Sequence, residues 1–253
     1  YDLLVDTIMP LAGLALITMI TYETSERRHN WEKRSSIETA VLSFFLLQVK
    51  NSGLFFCFCA WLYFLLLNRH AGLAKKNKLK YMLYGIVCPL STVFLWRRHV
   101  ALVFASGSTT KHAVSVHNYL KTFRGKTSEE ITNIMKLIFR QLTDVHDNSF
   151  LPMLVVTLIC MLLIGRGLKF KDKRMVSRHS KQLAFLYAVF VLYLISLFLM
   201  YLFSMPSYEA SYLAGWSRYM GSVDIFLFGM ALVFALNDGQ KHGKNWMIIP
   251  VLM

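Results

Sequence analysis

The sequence predicts an all-α fold, a polytopic transmembrane helix bundle with a helical outer loop. Three observations carry that prediction: the composition, the long charge-poor apolar runs, and the basic turns that separate them. Hydrophobic residues make up 55% of the chain and charged ones 17%, with a mean hydropathy of +0.44. That is more apolar surface than a soluble domain of 29.2 kDa can bury. Residues 183–203 contain no charge. At a rise of ~1.5 Å per residue they are long enough to cross a hydrocarbon layer ~30 Å thick.

Taken in order, apolar runs place spans at residues 3–20, 37–49, 52–67, 81–96, 150–164, 183–204 and 223–236, with an eighth opening at Trp246. The second is short and is followed at once by Lys50-Asn51-Ser52-Gly53. It reads as a half-length helix that stops, turns and re-enters, which lipid tolerates only where protein or water covers the freed backbone groups. Between 97 and 149 lies a long outer segment with a helix of its own. Thr127-Ser128-Glu129-Glu130 spells a capping box, and Ile131, Ile134, Met135, Ile138 and Leu142 follow at helical spacing. This helix either lies on a surface, with Lys136 and Arg140 opposite its apolar stripe, or packs on its own protein. The whole reads as one transmembrane domain over residues 1–253. The start at Tyr1 and the end inside the apolar run 246–253 read as a piece of a longer protein.

Basic residues concentrate in alternate turns: Arg27, Arg28, Lys33 and Arg34; then Arg69, Lys75, Lys76, Lys78 and Lys80; then a group from Arg166 to Lys181; then Lys241 and Lys244. If every span crosses, these turns share one side, which the positive-inside bias makes cytoplasmic. The other face then holds Asp2, Asp6, the Lys50 turn, the 97–149 segment and residues 205–222. The net charge of +14 is therefore an orientation signal. The chain has no groove-reading or base-stacking motif, so nucleic acid is not an expected partner. Cys57, Cys59, Cys88 and Cys160 all lie in apolar runs, where thiols act as small buried hydrophobes and not as a disulfide framework. The histidines of the outer segment lack metal-ligand spacing, and no metal or cofactor is expected.

The densest polar and aromatic cluster is Met205 to Tyr219. Pro206 and Ser207 can open a short helix, Glu209 and Tyr212 then lie one turn apart, and Arg218 begins the next span. Tyr208, Tyr212, Trp216 and Tyr219 fit an interface belt. Arg218 suits bidentate phosphate contact, with Lys50, Arg98 and Lys111 as further cations and His112 beside Lys111. Lys50 either holds a phosphate between helices or snorkels to water. Glu209 is either a base or the structural partner of Arg218, the pair being the favoured reading. Asp224, six residues beyond Arg218, does not share its helix face.

Tyr208-Glu209-Ala210 with Ser217-Arg218-Tyr219, Lys50-Asn51-Ser52-Gly53 at a helix break, and Trp96, His99-Val100, Lys111-His112 and Ser115 carry a resemblance. They resemble multispanning cell-envelope glycosyltransferases of Gram-positive bacteria, in the glycosyltransferase C superfamily, and the likeness covers most of the chain. It implies sugar transfer from a polyprenyl-phosphate donor to a cell-envelope glycan at the outer face of the cell membrane. The family's acidic catalytic residue commonly sits in the first outer loop, ahead of where this chain begins. Under the resemblance Glu209 is the candidate base; Arg218, Lys50, Arg98, Lys111, His112 and Tyr219 contact the donor phosphate or substrate. Two other readings stand beside it: a permease or flippase for a lipid-linked glycan, and a scaffold subunit of a polymer-export complex.

Overall fold

The computed structural model describes residues 2–26, 31–49, 53–69, 75–103, 116–144 and 150–242. Every regular element among them is helical. The all-α class follows, and among the described residues four helices are long and apolar enough to cross a membrane: Leu79–Val100, Leu151–Lys169, Lys173–Phe203 and Trp216–Gly239. The chain divides into two compact units, Tyr1–Ala113 and Val114–Met253.

The first unit contains α1 (Asp2–Glu26), α2 (Trp31–Val49), α3 (Gly53–Arg69) and α4 (Lys75–Val103). Its core draws Leu16, Ile17 and Ile20 from α1, Leu46 from α2, and Phe56, Ala60 and Phe64 from α3. The expected half-length second helix is in fact 19 residues long. It extends back through Trp31-Glu32-Lys33-Arg34-Ser35-Ser36, a polar stretch that hydropathy alone reads as a turn. Ser35, Thr39 and Ser43, spaced four apart, are buried along one side of α2. Each finds room because it is small. The Ser43 hydroxyl accepts from Trp61 Nε1 at 2.9 Å, and the Ser36 hydroxyl donates to the Tyr81 carbonyl at 2.7 Å. A Cβ on Gly85 would meet the Ser36 carbonyl at 3.5 Å. Small residues at helix seams are how spans approach closely when lipid gives no hydrophobic drive for association. At the start of α3 a Cβ on Gly53 would fall on the Leu46 carbonyl, so the α2–α3 reversal requires glycine.

α4 runs on to Val103, past the expected end of its span at residue 96. Arg98 and His99 are therefore exposed helical residues and not the opening of a loop. Arg98 is a good helix former, and the end of the apolar run at residue 96 is not the end of the helix. The Trp96 and His99 rings stack, with centroids 5.7 Å apart.

The second unit contains α5 (Val116–Arg124), α6 (Ser128–Thr143), α7 (Phe150–Lys169), α8 (Lys173–Phe203), α9 (Ser207–Ala210) and α10 (Trp216–His242). Helices α7, α8 and α10 pack against one another. On α8 the buried positions Leu186, Val189, Tyr193, Leu197 and Tyr201 recur at three- and four-residue steps, while Tyr187, Val191, Ile195 and Leu199 stay exposed. A helix apolar on all sides with one buried stripe suits a span packed on one side and bathed in lipid on the other. The α7–α8 turn is tight: Asp172 N–H donates to the Gly167 carbonyl and Lys171 N–H to the Leu168 carbonyl, both at 3.0 Å. Lys171 takes the left-handed conformation, φ 54°, which a Schellman stop normally gives to glycine. Asp172 then caps α8, its carboxylate accepting from the Arg174 and Met175 amides at 2.9 and 3.1 Å.

The expected capping box is present. Thr127 N–H donates to Glu130 Oε2 at 2.7 Å, and Glu130 N–H donates to the Thr127 hydroxyl at 3.2 Å. The α5–α6 hairpin packs on its own unit: Lys126 Nζ donates to the Met205 carbonyl at 2.6 Å, and the Phe123 and Phe203 rings stack at 4.8 Å. Of the apolar stripe on α6, Ile134 is buried, whereas Met135 and its neighbour Phe139 remain exposed.

Candidate functional site

The two ends of the α7–α8–α10 bundle carry different chemistry. At the end where α8 passes into α10, α9 begins at Ser207 behind Pro206, as the proline spacing predicts. The chain then turns through Leu213 and Gly215, both at positive φ. A Cβ on Gly215 would sit 3.1 Å from the Tyr219 ring and 3.7 Å from Arg218 Nη2. Glycine is thus what lets the arginine and the tyrosine close over the turn.

Arg218 is half-buried in the first turn of α10. Its Nη2 donates to the Tyr219 hydroxyl at 3.2 Å, and its guanidinium carbon lies 5.1 Å from the centroid of the same ring. Two α8 tyrosines brace the loop from below: Tyr193 donates to the Tyr219 carbonyl at 2.6 Å and Tyr201 to the Ala214 carbonyl at 3.1 Å. Glu209 holds the other side of the turn through its backbone, its carbonyl accepting from Ala214 N–H at 3.0 Å. Its carboxylate accepts from the Tyr208 hydroxyl at 2.6 Å. Of the expected aromatic belt, Tyr208 and Tyr212 are exposed, but Trp216 is 5% exposed and belongs to the core. Asp224 is buried two turns into α10.

The structure therefore sets Glu209, Arg218 and Tyr219 in one turn. Arg98 belongs to the first unit, on α4. Lys50, Lys111 and His112 lie outside the described residues. Beside this turn Lys126 is buried, and that burial pushes its ammonium below the usual range against the pull of Glu130. The Thr127 amide, helped by the Ser207 hydroxyl, holds the Glu130 carboxyl below its ordinary value. Among the described residues no group of three or more His, Cys, Asp or Glu is arranged to hold a metal ion.

The opposite end holds a cluster that sequence reasoning treated as orientation charge alone. Asp238, 2% exposed, accepts from Arg178 Nη2 at 2.5 Å and from Arg166 Nη1 at 3.4 Å. His179 Nε2 lies 3.1 Å from the same carboxylate, while its Nδ1 faces Gln182 Oε1 at 2.7 Å. One helical acid so joins the end of α7, the start of α8 and the end of α10. The one local signal was a lone aspartate near the end of an apolar run; its partners lie 59 to 72 residues away.

No protein-family model, curated protein or solved structure matches this chain.

Proposed function

We propose that the chain is a membrane glycosyltransferase that moves a sugar from a polyprenyl-phosphate donor to a cell-envelope glycan at the outer membrane face. One observation carries the reading: a half-buried arginine is held over a tyrosine ring in a glycine-dependent turn that also contains Glu209. A guanidinium in such a setting keeps its charge and its forked donors, and suits a phosphate whose negative charge grows as it departs.

In the proposed reaction the acceptor hydroxyl oxygen bonds to the anomeric carbon as the bond from that carbon to the phosphate oxygen breaks. The electron pair leaves with the polyprenyl phosphate, which Arg218 stabilises with Tyr219 beside it. The acceptor proton passes to a carboxylate, for which Glu209 is the candidate in this chain. Tyr208 already donates to that carboxylate, so the base is oriented before substrate arrives. The test is reconstitution of the full-length protein with a polyprenyl-phosphate sugar and glycan acceptor, wild type against Arg218→Ala. Loss of donor use by a folded variant supports the assignment, and unchanged turnover removes Arg218 from the site.

A permease or flippase for a lipid-linked glycan is the second reading. On α10, however, residues 225–237 between Asp224 and Asp238 carry no charge. A path for an anionic headgroup needs cations continued through the span, so the uncharged middle of α10 favours transfer over transport. Movement of a labelled lipid-linked glycan across vesicles without sugar transfer would select it.

A further inference from the structure

We infer that the α7–α8 end of the second unit is a preorganised site for the phosphate headgroup of an anionic phospholipid. The inference rests on the helices spanning a bilayer and is independent of sugar transfer.

Arg166 and Arg178 each commit one terminal nitrogen to the buried Asp238 carboxylate, at 3.4 and 2.5 Å. Their side chains remain 21% and 38% exposed, against 1% for Asp238. The carboxylate holds two guanidiniums at a fixed separation while leaving donors on each for a further acceptor. Arg166 is also held by the Phe170 ring, 5.8 Å from its guanidinium carbon, and that ring is 66% exposed at the turn. An exposed aromatic beside a fixed arginine, at the end of a lipid-length helix, sits where acyl chain gives way to headgroup.

The exposed charge around it is mostly basic. Lys169 follows Arg166 by three residues on α7, and Arg174 precedes Arg178 by four on α8, so each exposed cation extends the same helix face. Of the nearby acids, Asp172 is occupied in capping α8 and Asp238 is enclosed. General orientation charge needs basic residues in a turn, but it needs no buried carboxylate to fix two of them in place.

The purified chain in detergent is incubated with phosphatidylglycerol, with phosphatidylcholine of the same acyl chains, or with soluble glycerol phosphate, and bound species are read by native mass spectrometry. Phosphatidylglycerol is retained at least about tenfold more than phosphatidylcholine, and glycerol phosphate is not retained. The pair Lys169→Gln with Arg174→Gln lowers retention at least about tenfold, whereas Lys33→Gln with Arg34→Gln, of equal charge change in the first unit, leaves it near wild type. Arg178→Lys keeps the charge, loses the fork and also weakens retention. Equal retention of the two lipids, equal loss from both glutamine pairs, full retention in Arg178→Lys, or glycerol phosphate binding as well as the lipid overturns the inference.

Discussion

Arg178 Nη2 lies 2.5 Å from Asp238 Oδ1, a contact that ties the second turn of α8 to the last turns of α10 across 60 residues of sequence. With Arg166 and His179 on the same carboxylate, it closes one end of the α7–α8–α10 bundle. A carboxylate this buried is tolerable only because cations surround it.

Removing that carboxylate strands Arg166 and Arg178 against each other. Asp238→Leu should lower stability by about 3 kcal/mol, the usual cost of breaking a buried pair from one side. Thermal unfolding in detergent measures it. A variant as stable as wild type would show that the cations relax into water without loss.

Arg218→Lys keeps the positive charge at the α10 start but loses the forked donors that meet the Tyr219 hydroxyl. We expect donor use, read as kcat/KM, to fall at least about tenfold, with Arg218→Ala lower still. Equal turnover in the lysine variant would mean that only charge matters there.

For Glu209→Gln, a role as base requires kcat to fall about a hundredfold or more while donor binding holds. If binding and kcat fall together, the side chain serves the turn and its Tyr208 contact, and the proton goes elsewhere.

Lys171 occupies a left-handed position that costs a side chain roughly 1 kcal/mol. Lys171→Gly should therefore raise the stability of the second unit by about 1 kcal/mol. An unchanged or lower midpoint for thermal unfolding would contradict the strain argument.

Acid should loosen the α5–α6 hairpin. Because the folded protein holds the Glu130 carboxyl below its ordinary value, the stabilisation is present above the ordinary glutamate pKa of ~4.3 and is lost as pH falls through the lower folded value. Protection of the α6 amides, measured against their intrinsic exchange rates, should fall below about pH 4 in wild type, and Glu130→Gln should show lowered protection at neutral pH as well. Protection that stays flat with pH in both proteins would deny the cap this role.

Local signals were readable wherever one segment determines its own conformation. The Thr127–Glu130 box, the helix start behind Pro206 and the spans around α7, α8 and α10 all depend on residues within a few turns. Boundaries were lost where polar residues face another helix. Ser35, Ser36 and Thr39 look like a turn in sequence, yet they are buried in α2, where small side chains let helices approach. Trp216 looks like an interface anchor and is a core residue for the same reason: burial is decided by neighbours that the sequence does not display.

By itself the sequence determined an all-helical chain with spans of lipid length, because apolar runs without charge have few stable alternatives in a bilayer and backbone hydrogen bonds must close within each segment. It also gathered Glu209, Arg218 and Tyr219, since fifteen residues of connection hold all three. The tertiary structure alone decided which charges meet. Asp238 collects Arg166, Arg178 and His179 from two other helices, and no periodicity within a helix encodes a distance between helices.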